Sequence, residues 1–249
     1  MLLSKLEKIL LYAVTTRNIQ LIQKALSKKA DVINAILDAK QWTALHYASK
    51  LGNKDIVTLL LQNQANVHAR TEPRDTPLHI AAGHGSLQVM DLLITNNADI
   101  EAKNEDGMTP LHYAARTGAC NTVQKLIDAG ANITCANEGN YTALHFAAFY
   151  NHPDVAEIIL RAAAQQGHLE NLLNVKNEFR NTAMQIAYDK GAVVIIQKIS
   201  EATYIQESSQ ESEEMEVENA TTAFVEEVSV AESTTQVIGE QLDTDTTLS

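Results

Sequence analysis

Histidine recurs in this sequence at a fixed spacing, and it is a residue type that commonly binds transition metals or transfers protons near neutral pH. Four of the eight histidines lie 33 residues apart, at His46, His79, His112 and His145. A metal site needs three or four ligands that converge on one point, whereas a constant period places each histidine in a separate copy of a repeated unit. The spacing therefore indicates a structural role, and we expect neither a metal nor a cofactor.

Motifs that are typical of enzymes are absent from the sequence. There is no Walker-type phosphate loop, no G-x-G-x-x-G, no His-Glu-x-x-His and no nucleophile with a paired base. We therefore predict a protein without catalytic activity, and we keep an enzyme or enzyme subunit only as the remote third hypothesis.

The charged residues are unevenly distributed. Residues 201–249 contain 13 of the 31 acidic residues and none of the 19 lysines and arginines, so this segment carries a charge of −13 and the rest of the chain +1. A nearly neutral body lacks the basic face that binds a nucleic-acid backbone, and an acidic tail repels phosphates. We expect no nucleic-acid partner.

The start of the chain and its cysteine content bear on location. Met1 to Lys8 includes three charged residues and resembles neither a signal peptide nor a membrane span. The two cysteines, Cys120 and Cys135, flank a predicted helix, and this low usage fits a reducing compartment. We expect a soluble, monomeric, cytoplasmic protein that does not bind a membrane.

The four histidines belong to a longer repeated motif, which reads Thr-Pro-Leu-His-Ile-Ala-Ala at residues 76–82. Its threonine can cap a helix, proline suits the first helical position, and the alanines permit close packing. The residue nine positions after each threonine is Gly or Asn, which tolerates the left-handed conformation that ends a helix. An apolar helical stripe follows each stop. The threonines lie at steps of 33, 33, 33 and 40 residues, at Thr43, Thr76, Thr109, Thr142 and Thr182.

A period of this length predicts helix pairs that stack because neither helix can bury its apolar face alone. The motif, the period, the glycine stop and the Ala-Asn or Ala-Asp endings at residues 65–66, 98–99 and 131–132 resemble the ankyrin repeat family over roughly residues 10–200. The resemblance implies an all-α repeat solenoid of helix-turn-helix units with β-hairpin fingers along one edge. It also implies that the four histidines form hydrogen bonds within and between hairpins.

The predicted units follow from the positions of the threonines. The long fifth unit contains an insertion at residues 162–168, whose Ala and Gln residues favour extending the second helix until Gly167 stops it; this insertion is either functional or simply tolerated. Glycine fills the hairpin position two residues before the threonine only at Gly107, so we expect some fingers to be distorted. The predicted boundaries are a capping repeat at 1–37, repeats at 38–70, 71–103, 104–136 and 137–176, a second capping repeat at 177–206, and a disordered acidic tail at 207–249.

Family geometry places the hairpin tips and the ends of the first helices on one concave face. Residues there are not required to hold the stack together, and exposed aromatic and arginine side chains are typical of interface hot spots. We therefore predict partner-binding positions on this face, with the alternatives that neighbouring segments cover Phe149 and Tyr150 and that Trp42 shields the first cap. The predicted residues are Trp42, Lys50, Leu51, Asp75, Met108, Arg116, Tyr141, Phe149 and Tyr150.

Two hypotheses for function remain. The first is a non-catalytic module that binds a protein partner on the concave face. The second is a secreted bacterial effector that uses the stack to target host proteins. For the acidic tail, three interpretations stay open: a solvating appendage, a regulatory segment as in ankyrin inhibitors of transcription factors, and a C-terminal secretion signal.

Overall fold

The computed structural model describes residues 4–206 and residue 208. The chain divides into two compact units, Met1–Ala202 and Thr203–Ser249. In the second unit, residues 203–206 and 208 are described, and all are helical; the predicted disordered tail otherwise lies outside the described residues. No described helix has the length and apolarity needed to cross a membrane.

The first unit is built from helices that are joined by short turns within a repeat and by longer segments between repeats. The described residues contain one β-bridge, an antiparallel pairing of Ala136 with Thr142. The helices are α1 (Lys5–Thr15), α2 (Ile19–Lys28), a 3₁₀ helix (Ala30–Asn34), α3 (Ala44–Leu51), α4 (Lys54–Gln62), α5 (Pro77–Gly83), α6 (Leu87–Thr95), α7 (Pro110–Thr117), α8 (Cys120–Asp128), α9 (Ala143–Phe149), α10 (Pro153–Gln165), α11 (Leu169–Asn174), α12 (Ala183–Lys190) and a last segment at residues 193–202.

The helices form two parallel rows. The first helices α3, α5, α7, α9 and α12 contact one another in chain order, and the second helices α4, α6, α8 and α10 form the row behind them. Small side chains permit this spacing, since Ala48, Ala82, Ala115 and Ala148 are completely buried between neighbouring units. The predicted all-α repeat solenoid is confirmed.

The repeated threonine and the residue nine positions later bound the first helices as predicted. Thr43, Thr76, Thr109, Thr142 and Thr182 each occupy the N-cap. The later residue has a left-handed backbone in every unit, including Asn151, whose φ of 56° shows that asparagine replaces glycine here.

The expected distortion of some fingers is wrong. Each finger is the five-residue segment before the repeated threonine, at residues 38–42, 71–75, 104–108, 137–141 and 177–181. The hairpin position adopts a left-handed backbone in all five fingers, with φ from 59° at Gln41 to 72° at Gly107. Each finger is held by its neighbour: the Glu105 amide donates to the Pro73 carbonyl at 3.0 Å, and the Glu138 amide to the Asp106 carbonyl at 2.9 Å. These bonds offset the cost of about 1–2 kcal/mol that a non-glycine residue incurs in this conformation.

The insertion in the fifth unit lengthens α10 and adds a short helix after it. As predicted, α10 is longer than its counterparts, with 13 residues against nine in α8, and Gly167 follows it with φ of 70°. A short helix that the sequence did not predict, α11, uses most of the remaining residues. The next finger regains the regular position, because the Glu178 amide donates to the Gly139 carbonyl at 2.9 Å.

Candidate interaction face

A polar side chain five residues before each threonine shapes the finger. Asn104 is representative: its Oδ1 accepts from the amides of Asp106 at 3.0 Å and Met108 at 2.9 Å. In a turn this short the backbone amides have no strand partner, and the side-chain oxygen accepts their hydrogen bonds instead. The chain therefore enters the first helix at a fixed angle. The predicted unit boundaries fall at this position, but the role of the side chain was not predicted. Equivalent bonds to the residue before the threonine are made by Asp38, Thr71, Asn137 and Asn177.

The four repeated histidines connect successive fingers. His79 Nδ1 accepts from the Thr76 amide at 3.2 Å, so Nε2 carries the proton and donates to the Met108 carbonyl at 2.9 Å. His46, His112 and His145 make the same pair of contacts, with the carbonyls of Asp75, Tyr141 and Asn181 as acceptors. These side chains are buried, and the hydrogen-bonding role that the family implied for them is confirmed.

Burial keeps these histidines neutral. Desolvation lowers the pKa of His46 and His112 to about 4 and also lowers the pKa of His79 and His145. Their ring nitrogens are used within the stack, and the described residues contain no cluster of three or more His, Cys, Asp or Glu side chains arranged to hold a metal ion. The histidines therefore stabilise the scaffold and do not form part of the interaction face.

Two of the predicted binding residues are buried, and for them the prediction is wrong. Met108 is 4% exposed and Asp75 is 7% exposed. Both lie directly before the threonine, at the position whose backbone carbonyl binds a histidine of the previous unit. The Asp75 carboxylate is also bound within the stack, since its Oδ1 accepts from the Tyr113 hydroxyl at 2.6 Å and from Asn104 Nδ2 at 3.0 Å.

The N-terminal part of the face contains Trp42 and its neighbours. The indole is half-buried, with its ring centroid 5.1 Å from that of Tyr47, and Lys50 Nζ lies 5.6 Å from the Trp42 centroid. Lys50 is exposed, whereas Leu51 is half-buried against the core. Trp42 thus packs against side chains of its own unit and keeps part of its surface exposed, and its role in binding a partner stays a prediction.

A second cation lies over an aromatic ring in the middle of the stack. The Arg116 guanidinium carbon is 4.5 Å from the centroid of Tyr113. The Tyr113 hydroxyl is bound to Asp75, and burial together with this bond raises the pKa of Tyr113 above its usual range. The ring is therefore fixed, and it holds the guanidinium in a defined place.

Phe149 and Tyr150 are exposed. Their side chains retain 44% and 46% of their accessible surface, so the alternative in which a neighbouring unit covers them is wrong. The two rings contact each other with centroids 5.1 Å apart, and Tyr150 stacks on His152. Tyr141 is half-buried and packs against Phe146 at 5.8 Å.

A groove of about 260 Å³ joins the last finger to the ends of α9 and α12. It brings Tyr141 and Phe149 together with Phe179, which the sequence analysis did not select and which is 69% exposed. Lys190 Nζ lies 4.0 Å from the Phe149 ring centroid. Applying the repeat spacing to the last unit identifies both Phe179 and Lys190. They occupy the same positions relative to Thr182 as Gly139 and Tyr150 do relative to Thr142. The groove is completed by Asn177, Asn181, Ile186 and Asp189.

Comparison with known proteins agrees with this architecture. A family model described as ankyrin repeats in three copies matches residues 78–169, and one described as ankyrin repeats in many copies matches residues 10–61 and 45–94. No curated protein sequence matches the chain. A solved ankyrin repeat domain from Acinetobacter baumannii is 29% identical, with a TM-score of 0.67, and the alignment covers 78% of this chain and 97% of that domain.

Ankyrin repeats are in general protein–protein interaction modules and are typically not catalytic. The capped first helices, the histidines that join successive fingers, the two rows of helices and the family matches lead to one conclusion: this chain belongs to the ankyrin repeat family.

Proposed function

We propose that this chain is a non-catalytic module that binds a protein partner through the concave face, defined as the five fingers and the last turns of α3, α5, α7, α9 and α12. The observation that carries the proposal is the aromatic groove at the C-terminal end of this face. Phe149, Tyr150 and Phe179 are exposed, Phe149 and Phe179 line the groove, and Lys190 lies over the Phe149 ring, a composition that interface hot spots favour.

The fold does not require an aromatic residue at the positions of Phe149 and Phe179. The fingertip position of Phe179 is Lys40, Pro73, Asp106 and Gly139 in the other units, and the position of Phe149 is Lys50, Gly83, Arg116 and Asp189. Such variety indicates that packing does not require an aromatic ring there. An exposed apolar cluster at freely variable positions favours a binding role over a structural one.

Site-specific photocrosslinking tests the proposal. A photoreactive residue replaces Tyr150 on the concave face or, as the control, Gln88, which is exposed on α6 in the second row. We expect protein crosslinks from position 150 in cell extract and none of the same species from position 88. Equal labelling from both positions, or from position 88 alone, would contradict binding through the concave face.

A double substitution tests the aromatic cluster itself. Phe149→Ala with Phe179→Ala should weaken capture of the crosslinked partner by at least about tenfold, since truncating hot-spot aromatics costs about 2 kcal/mol or more. The matched control, Tyr12→Ala with Val194→Ala, removes apolar groups that are equally exposed elsewhere. Both variants should keep the unfolding temperature of the unaltered chain. A large fall for the first variant alone would assign these rings to the core.

The acidic C-terminal segment supports a second candidate function, that of a secreted effector acting on host proteins. Residues 201–249 contain 13 acidic residues and no Lys, Arg or His, a composition compatible with a C-terminal secretion signal. Replacing the tail with a neutral sequence should abolish delivery of a reporter fused to the chain. Unchanged delivery would remove the effector proposal and leave the binding module intact.

We also propose that the chain acts as a monomer in the cytoplasm. Cys120 and Cys135 are both free thiols, which supports a reducing compartment.

A further inference from the structure

We propose that the partner bound on the concave face is an extended acidic peptide segment whose carboxylates contact Lys50, Arg116 and Lys190. This inference rests on the proposed function and specifies the chemistry of the partner. Each of the three cations lies over an aromatic ring: Lys50 over Trp42, Arg116 over Tyr113 and Lys190 over Phe149, at 5.6, 4.5 and 4.0 Å.

The three cations occur in alternate units of the stack, and Lys190 lies one position later than Lys50 and Arg116 relative to the threonine of its unit. They lie in the last turns of α3, α7 and α12, in alternate units. The equivalent turns of the intervening units end in Gly83 and His84, and in Phe149 and Tyr150. At the usual spacing of about 8–10 Å between packed helices, cations in alternate units lie about 16–20 Å apart, a distance that an extended chain covers in about five or six residues.

The cations are free to bind a partner carboxylate. In the described part of the chain the two ion pairs are Lys125 with Asp91 and Lys198 with Glu157, and both join second helices. Lys50, Arg116 and Lys190 take part in neither. Because the aromatic rings already hold the cations in place, less conformational entropy is lost when a carboxylate binds.

The two edges of the concave face, the helix ends and the fingertips, differ in net charge. Among the ends of the first helices, Asp189 is the one acidic side chain, so that row is net cationic. The fingertips carry five exposed acidic residues, Glu72, Glu105, Asp106, Glu138 and Glu178, against three basic ones, Lys40, Arg74 and Arg180. A partner carboxylate is thus attracted to the helix ends and repelled from the fingertips, which fixes the side on which an acidic segment lies.

A structural explanation exists for a cation in the last turn of a helix. It interacts favourably with the helix dipole by about 0.3–1 kcal/mol. That explanation predicts an effect on stability alone, whereas the proposal predicts an effect on binding. A nucleic acid also presents anions, and its binding is the outcome that the oligonucleotide probe tests.

Fluorescence anisotropy with the full chain tests the inference. The probe is a labelled peptide of three Glu-Leu-Glu-Phe units, and the comparison probes are its Lys-for-Glu counterpart and a single-stranded oligonucleotide. We expect the acidic peptide to bind and to weaken with added salt, and we expect neither comparison probe to bind. Preference for either comparison probe would overturn the proposal.

Substitution locates the contacts. The triple variant Lys50→Gln, Arg116→Gln, Lys190→Gln should weaken peptide binding by about tenfold or more. The control, Lys24→Gln, Lys28→Gln, Lys54→Gln, removes the same charge from exposed residues of α2 and α4 and should change binding less than twofold. Equal effects of the two variants, or no effect of the first, would overturn the proposal. Crosslinking at position 150 would still succeed in that case, so failure of this inference is separable from failure of the proposed function.

Discussion

At the scale of single residues, the repeated histidines act as uncharged connectors. Each accepts a hydrogen bond at Nδ1 from the threonine of its own unit and donates from Nε2 to the next finger. A proton added at Nδ1 would face the threonine amide and remove the acceptor that caps the helix. The neutral form is therefore the one that holds the stack together.

This protonation preference makes stability depend on pH. The folded pKa of His46 and of His112 is about 4, below the unfolded value of about 6.5, so the unfolded chain takes up protons first as the pH falls. Stability should be complete above pH of about 6.5 and decline towards pH 4 by at most about 1.4 kcal/mol per pH unit for each histidine. Urea unfolding at a series of pH values measures the slope.

The control uses residues that the chain itself provides. Gln185 occupies the histidine position of the last unit, and its Oε1 accepts from the Thr182 amide at 2.7 Å. His112→Gln should therefore retain the helix cap and reduce the pH dependence of stability relative to the unaltered chain. An unchanged slope in His112→Gln would show that this histidine is not the titrating group.

Ser49 provides a second test at the residue scale. Its hydroxyl is completely buried and finds no hydrogen-bond partner among the described residues, and the equivalent residues Ala82, Ala115 and Ala148 lack a polar atom. An unsatisfied buried hydroxyl costs about 1–3 kcal/mol. Ser49→Ala should raise the free energy of unfolding by about 1 kcal/mol, measured by denaturant titration, and a destabilised variant would point to a bound water.

At the scale of elements, Gly118, one of the residues that end the first helices, does more than permit a left-handed backbone. Gly118 and Gly191 have φ of 74° and 64° at the same position of their units. A Cβ on Gly118 would lie 2.7 Å from His152 Nδ1 in the next unit, whereas a Cβ on Gly191 has no described neighbour within 4 Å. The internal glycine thus also makes room for the adjacent unit.

The two glycines form a matched pair for mutation. Gly191→Ala should cost about 1 kcal/mol through its backbone conformation alone. Gly118→Ala should cost at least about 1 kcal/mol more, because the His152 ring must move and weaken its 3.1 Å bond to the Arg116 carbonyl. Denaturant unfolding of both variants gives the comparison, and equal costs would show that the neighbouring ring yields freely.

The sequence predicted the boundaries of the first helices more accurately than it predicted which residues are exposed on the concave face. Threonine, proline, alanine and glycine encode their positions through local backbone chemistry, so the starts and ends of the first helices followed from the motif. The burial of Asp75 did not follow, because it depends on Asn104 and Tyr113 of the next unit, which bind its carboxylate. The burial of Met108 also did not follow from the motif. Phe179 and Lys190 were missed because the binding positions were not read in the final unit, although the same spacing extends to it. The short helix α11 carries no repeated signal.

At the scale of the whole molecule, the energetics of the first unit follow from nearest-neighbour contacts. Internal first helices such as α7 pack between two neighbours, α5 and α9, whereas α12 packs against α9. The last repeat leaves Tyr188 and Val193 exposed by 61% and 70%. In a stack of this kind, stability is the sum of each repeat and its interfaces.

Hydrogen exchange should reveal this gradient. We expect amides of α7 to exchange more slowly than those of α12, because opening an internal repeat disrupts two interfaces and opening the last repeat disrupts one. Exchange followed by mass spectrometry of peptic fragments resolves the two helices. Equal protection in both would indicate that the repeats unfold as one cooperative body.

The extra length between Thr142 and Thr182 also has a practical consequence. The step grows from 33 to 40 residues, yet the finger at residues 177–181 keeps its bond to Gly139 and its contact with His145. Register is thus set by contacts between fingers and not by residue count. The exposed turn at residues 165–168 is accordingly a suitable place to insert a fluorescent domain or an affinity tag, which would report on the assembled stack while leaving the concave face unobstructed.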